Sequence, residues 1–225
     1  MIPIRDDIPS RRPAVGTKIL LLVTIGVFLY QLMQQSQGPF VQLPFRCGGV
    51  LSAFDANFSL IPALFPDHPL TALTAIFLHG GLWHLVSNML FLWIFGDNVE
   101  DHFGSFGFLF LYLGGGVIAS LTQYITSPTS CTPVLGASGA VAAVLGAYLL
   151  LYPRARVLMI VPFFFFLNFW LPAPFFLGFW FITQIYNGLS NIGGVAWWAH
   201  IGGFLAGVLA VSLLAPPRRP RAPMY

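Results

Sequence analysis

Apolar residues gather along this chain into long runs, at residues 17–33, 82–95, 106–125, 138–152, 174–189 and 197–214, with polar residues confined largely to the stretches between them. A helix crosses the hydrocarbon core of a bilayer with about 20 apolar residues. The shorter runs suffice where a helix tilts or buries one end in protein. A transmembrane barrel would need strands of about ten residues that alternate apolar and polar, and no such alternation is visible. The pattern predicts an all-α polytopic membrane protein, a six-transmembrane-helix bundle spanning residues 17–214 between an N-terminal tail, 1–16, and a C-terminal tail, 215–225. The one long connection, residues 34–77, is itself apolar. Leu51, Phe54, Phe58, Ile61 and Phe65 recur in it at spacings of three and four. That stripe predicts an amphipathic helix lying in the membrane interface between helices one and two, bounded by Pro44, Pro66 and Pro69. Residues 157–167 are too few to span and read as an interfacial or partly inserted piece.

Composition agrees with this reading. Of 225 residues, 57% are hydrophobic and 8% charged, against about 25% charged in soluble domains, and the mean hydropathy is +0.80. A soluble globular protein is excluded, and nucleic acid is not an expected partner despite a pI near 9.1. The cations also orient the chain, because Lys and Arg in short loops stay cytoplasmic. Arg5, Arg11, Arg12 and Lys18 precede helix one, Arg154 and Arg156 join helices four and five, and Arg218, Arg219 and Arg221 follow helix six. Six spans place all three groups on one face and Arg46 alone on the other, so both termini are expected in the cytoplasm and helices two, four and six enter from outside. The first run is long for a signal peptide, and residues 31–37 offer no small-x-small cleavage site, so it reads as a retained helix. Cys47 and Cys131 both fall in outer loops, where an oxidising compartment permits a disulfide. The sequence does not decide between a disulfide and two unrelated small residues.

Polar side chains at membrane depth are costly and mark sites of function. His84 and Asn88 on helix two, Ser138 on helix four and His200 on helix six all lie in the first turns of helices that enter from outside, and so at similar depth. Ser138 stands in Gly136-Ala137-Ser138-Gly139, where its hydroxyl can act as a nucleophile and its N–H is an unpaired donor of a helix start, suited to an oxyanion. Taken alone, the same stretch reads equally well as a small-residue packing face with Ala143 and Gly146. His200 shares a face with Gly203 and Gly207, which would let helix six press against helix four and bring a neutral imidazole to Ser138 as general base. His84 and Asn88, four residues apart, share a face and suit the side-chain half of an oxyanion hole; interhelical hydrogen bonding is their other reading. His79, His84 and His200 lack the Cys, Asp or Glu companions or HExxH spacing usual at zinc, so no metal or other cofactor is expected. All seven acidic residues lie outside the six runs, against proton-coupled transport. Of these only Asp55 and Asp67 share the outer side with Ser138, so a Ser-His dyad without a carboxylate is the expected arrangement.

The motifs His79-Gly80-Gly81-Leu82-Trp83-His84 with Asn88, Gly136-Ala137-Ser138-Gly139, and His200 with Gly203 and Gly207 resemble, in order and spacing, those of the rhomboid family of intramembrane serine proteases. The resemblance implies a dyad of Ser138 and His200, an oxyanion hole from the Ser138 backbone with His84 and Asn88, and supporting roles for His79, Gly136, Gly139, Gly203 and Gly207. It implies membrane-anchored protein substrates with transmembrane segments, cut near their outer end within a water-filled cavity, and a side entrance at Phe179 and Trp180 on helix five. Gly96, Val99 and Glu100 also resemble a family motif, with a structural role. Leu70 and Thr71 stand where many relatives carry a Trp-Arg pair, and Ala142 where some place an aromatic against the catalytic histidine. The rival within this fold, an inactive adaptor that binds transmembrane helices, would lack the serine or the histidine, and both are present. The expected setting is the lipid bilayer of a bacterial plasma membrane, with the oligomeric state left open.

Overall fold

In the computed structural model, which describes residues 2–161, 164–190 and 192–214, with the backbone alone at 164–166, a buried carboxylate starts the first helix. Helix α1 (Val15–Gln37) has no side-chain cap at Ala14. Its first N–H groups are met instead by Glu100, which accepts from Gly16 N–H at 2.7 Å, from Thr17 N–H at 2.7 Å and from the Thr17 hydroxyl at 2.8 Å. A negative charge at these orphan donors also complements the helix dipole. Ser105 donates to the same carboxylate at 2.5 Å. Glu100 therefore ties α1 to the turn of α4 (Leu82–Thr126), and the structural role expected for it is the one its contacts show.

Helix α4 is bent into two arms at Gly104, whose φ of 71° and ψ of 165° lie outside the helical region. The arms contain the runs 82–95 and 106–125, but the first continues past Phe95 through Asp97, Glu100 and Asp101. Helix α5 (Ser138–Leu151) lies at the centre of the bundle, buried at every position from Gly139 to Tyr148. A helix that is apolar all round belongs in such a position. Helices α6 (Ala173–Leu189) and α7 (Trp197–Leu214) complete the bundle. Helices α1, α4 and α7 are long and apolar enough to cross a membrane, and the chain is an integral membrane protein.

The expectation of an all-α chain needs correction. Strand β1 (Ile2–Asp6) pairs antiparallel with β4 (Arg156–Val161), which pairs antiparallel with β5 (Phe164–Pro172). Val157 and Met159 are buried and their neighbours Arg156 and Leu158 are not, so the strand does alternate in burial. Apolar residues on both faces hide that period in the sequence. The segment 157–167 is thus largely part of a hairpin, and part of the N-terminal tail is a strand held by a partner about 150 positions away. The sheet packs at the C-terminal end of α5, where Asp6 accepts from the Tyr148 hydroxyl and, at 2.9 Å, from the Asn98 amide. Ser138 lies at the other end, about 21 Å away along the helix at 1.5 Å per residue. The C-terminal tail, with Arg218, Arg219 and Arg221, lies outside the described residues.

The long connection is not one amphipathic helix either. It folds as a hairpin of β2 (Phe40–Gln42) and β3 (Val50–Ser52), helix α2 (Ala53–Phe58), a 3₁₀ turn (Pro62–Asp67), helix α3 (Thr71–Thr74) and a second 3₁₀ turn (Ala75–Phe77). Pro62 and Pro66 break the helical pattern in which Ile61 and Phe65 had a place, since proline cannot donate and clashes with the preceding turn. Ile61 is buried with Leu43 and Leu64 in a small core of its own, while Phe58 remains exposed.

Candidate active site

Three helices that are distant in sequence meet at Ser138. It is the first residue of α5, and no side chain caps that end. Gly136, two residues earlier, has a φ of 130°. A Cβ there would sit 2.6 Å from Cε1 and 2.8 Å from Nε2 of His84. Glycine is therefore required twice, for its backbone conformation and for the approach of the imidazole. His200, in the first turn of α7, places Nε2 2.8 Å from Ser138 Oγ. Its Nδ1 is 2.8 Å from Gln184 Oε1 on α6. Trp180 lies tilted over the imidazole with ring centroids 5.8 Å apart, and Trp197 meets it edge-on at 6.0 Å. These two tryptophans supply the aromatic contact for which the sequence has no residue at 142. Ala142 is fully buried, with its Cβ 3.4 Å from where Gly203 would carry one.

His84 and Asn88 line the same cavity as Ser138 and His200, a space of about 780 Å³. Gly80 N–H points to His84 Nδ1 at 3.4 Å, which leaves Nε2 as the donor. Asn88 spends one amide hydrogen on the His84 carbonyl at 3.0 Å and keeps the other. Two side-chain donors and a helix start thus share one cavity with the Ser138 hydroxyl, an arrangement that can hold a negatively charged oxygen.

His79 lies behind this group, not in the cavity wall. It is almost wholly buried, and burial, with His84 beside it, lowers its pKa to about 4. The ring is then neutral, and its Nε2 accepts from Ala137 N–H at 3.4 Å, one residue before Ser138. Its own N–H donates to Gln31 Oε1 at 3.0 Å, and Gln31 donates to Asp55 at 2.8 Å. Asp55 also accepts from Gln35 and Ser52, each at 2.8 Å. The loop before Ser138 is braced by the long connection at further points. Leu60 and Val134 exchange hydrogen bonds of 2.9 and 2.7 Å, Ala63 N–H donates to the Ser130 carbonyl at 2.9 Å, and Gly136 N–H donates to the Ala75 carbonyl at 2.9 Å. Cys47 and Cys131 form a disulfide across the same interface, which settles the alternative that the sequence left open.

Both carboxylates of the long connection are therefore committed away from His200, Asp55 to this chain of amides and Asp67 to an exposed ion pair with Arg46 at 2.7 Å. Asp55→Asn is expected to lower stability by about 1–3 kcal/mol, because a buried amide replaces an acceptor that meets three donors. Asp67→Asn should cost no more than about 1 kcal/mol, the worth of an exposed pair. Neither should move the pH dependence of turnover. Chemical unfolding in detergent beside a pH–rate profile checks both, and a shifted profile in either variant would reveal a carboxylate acting on His200.

Sequence reasoning missed Gln31 and Gln184. Both are visible as amides inside apolar runs, but neither belongs to the ionisable groups and Asn88 on which the sequence reading rests. The resemblance implies that Trp180 belongs to a side entrance; its ring faces His200, whereas Phe179 faces outward at 63% exposure.

The sequence profile of the family described as Rhomboid domain matches residues 66–217. Similar proteins include RHOMBOID-like protein 12, mitochondrial, of Arabidopsis thaliana, 35% identical over 161 residues that cover 62% of this chain and 45% of that one. Rhomboid-like protein 11, chloroplastic, of the same plant is 29% identical over 218 residues, 94% of this chain and 69% of that one. Rhomboid protease GluP of Bacillus subtilis is 46% identical over 77 residues, 34% of this chain and 15% of that one. The match to the mitochondrial protein spans less than half of that protein's length.

Proposed function

This chain belongs to the rhomboid family, and from that premise we propose that it is an intramembrane serine endopeptidase that cuts transmembrane segments of membrane-anchored proteins. The observation that carries this reading is the 2.8 Å approach of His200 Nε2 to Ser138 Oγ across 62 positions of sequence. As Ser138 Oγ attacks the scissile carbonyl, its proton passes to His200 Nε2 and the carbonyl oxygen becomes an oxyanion. The N–H of Ser138, the His84 imidazole and the Asn88 amide are its donors. Collapse of the tetrahedral intermediate breaks the C–N bond, and the imidazolium returns the proton to the departing amine. Water then attacks the acyl-enzyme by the same route in reverse, releasing the second fragment and free Ser138.

In this proposal α4 spans the bilayer twice, once with each arm, giving six spans with α1, α5, α6 and α7. The grouping of the cations supports a cytoplasmic position for both termini, which opens the cavity at Ser138 to the outer side. The disulfide between Cys47 and Cys131 supports an oxidising compartment there. The relatives reported above come from a mitochondrion, a chloroplast and a bacterium, so they lend no weight to a bacterial plasma membrane in particular.

The test is to reconstitute the purified protein in liposomes with a panel of single-pass segments. Paired fragments should accumulate whose new termini map to the outer end of the segment. Stable binding of segments without fragments would instead mark the inactive adaptor.

A further inference from the structure

We infer that Gln184 is the uncharged third member of this site, a positioning residue that fixes His200 in the tautomer able to take the Ser138 proton; the inference rests on the protease reading above. His200 has two ring nitrogens, and only one arrangement of hydrogen serves catalysis: Nδ1 must carry it and Nε2 must present a lone pair to Ser138. Gln184 is buried at 4% exposure, and its amide can be oriented from its other contacts. The NH₂ end donates to the Trp180 carbonyl at 2.8 Å and to the Thr183 hydroxyl at 3.0 Å. The carbonyl end therefore faces His200 Nδ1, 2.8 Å away. A carbonyl oxygen only accepts, so Nδ1 must carry the hydrogen. Nε2 is then left to accept from Ser138 at 2.8 Å.

The geometry is built by one helix. Trp180 and Gln184 are four residues apart and share a face of α6, so the same helix lays a tilted ring against the imidazole and caps its far nitrogen. The opposite face, with Phe175, Phe179, Ile182 and Tyr186, is exposed at 62–67%, as suits an outer wall. The arrangement does for this base what a carboxylate does in a triad, but without its charge. When Ser138 transfers its proton to Nε2, the imidazolium keeps its Nδ1–H on the Gln184 oxygen. No proton passes to the amide, and the charge is met by a dipole alone.

Two variants and one measurement on the unaltered protein test this. Gln184→Met keeps length and removes the acceptor, and should lower kcat by roughly ten- to a hundredfold, below the full effect of losing a general base, with KM within about twofold of wild type. Gln184→Glu keeps the acceptor and adds charge, so it should retain more of kcat than the Met variant and move the acid limb of the kcat profile to higher pH. In the unaltered protein, ¹⁵N shifts of labelled His200 at neutral pH should show hydrogen on Nδ1 and none on Nε2. The opposite tautomer overturns the inference whatever becomes of the variants. So does a Met variant with wild-type kcat, a loss confined to KM, or equal impairment of Met and Glu with an unmoved acid limb, which would mark a packing role only. Ser138→Ala run alongside separates the two levels: if it still cleaves, the protease reading falls, and if it is inert while Gln184→Met is unimpaired, only this inference does.

Discussion

Ser138→Ala is expected to abolish cleavage of a membrane-anchored segment, with a loss of about 10⁴-fold or more, since removing the nucleophile of a serine hydrolase leaves only what binding and the oxyanion donors supply. The protein should fold almost normally. Among the described residues the Ser138 hydroxyl makes its side-chain bond to His200 alone, and one such bond contributes about 1 kcal/mol. Its helix start is braced through Ala137 and Gly136, whose backbone bonds do not involve the serine side chain. A fluorophosphonate should label the wild type at Ser138 and leave the variant unlabelled. Undiminished turnover by a folded Ser138→Ala protein, or labelling at another serine, would remove the nucleophile from the proposal.

That prediction was available from the sequence because each residue it needs carries its own local signal. Ser138, His84, Asn88 and His200 interrupt apolar runs at similar depth, and the small residues beside them allow helices to approach. Helix α7 runs over the same residues, 197–214, that its apolar run marks, and the start of α5 at Ser138 coincides too. What stayed hidden depends on pairing at a distance. β1 and β4 find each other across about 150 residues, and neither alternates visibly, since both faces of β4 are apolar. The long connection showed a helical stripe, yet its stability comes from backbone bonds to residues 130–136 and from a disulfide, which hydrophobic period cannot report. The absence of an aromatic at 142 was legible, whereas its replacement from another helix, by Trp180, was not. A side chain on a different element can fill the same space, and one sequence does not say which.

Helix proximity sets the second large effect, expected from Gly207→Ala. Helices α5 and α7 touch through reciprocal glycines: a Cβ at Gly203 would fall on the Gly139 carbonyl oxygen, one at Gly207 on that of Ala143, and one at Gly146 on that of Phe204. These are backbone atoms, which no change of rotamer can move aside, so even a methyl group must push the helices apart. Small residues permit such contact between membrane helices, where the packing itself drives association. Overpacking of this kind costs about 1–3 kcal/mol and occasionally more. The catalytic consequence should be larger than the loss of stability, because His200 rides on α7 two turns from Gly207 and Ser138 rides on α5. A displacement of about 1 Å between a base and its nucleophile can cost about a hundredfold in rate. Gly26→Ala on α1 is the matched control, since a Cβ there meets nothing within 4 Å among the described residues. It should be neutral or stabilise by up to about 1 kcal/mol through helix propensity. Thermal unfolding and turnover measured on both variants decide the matter. Wild-type stability and turnover in Gly207→Ala would mean that the close approach of α5 and α7 is not what seats His200 on Ser138.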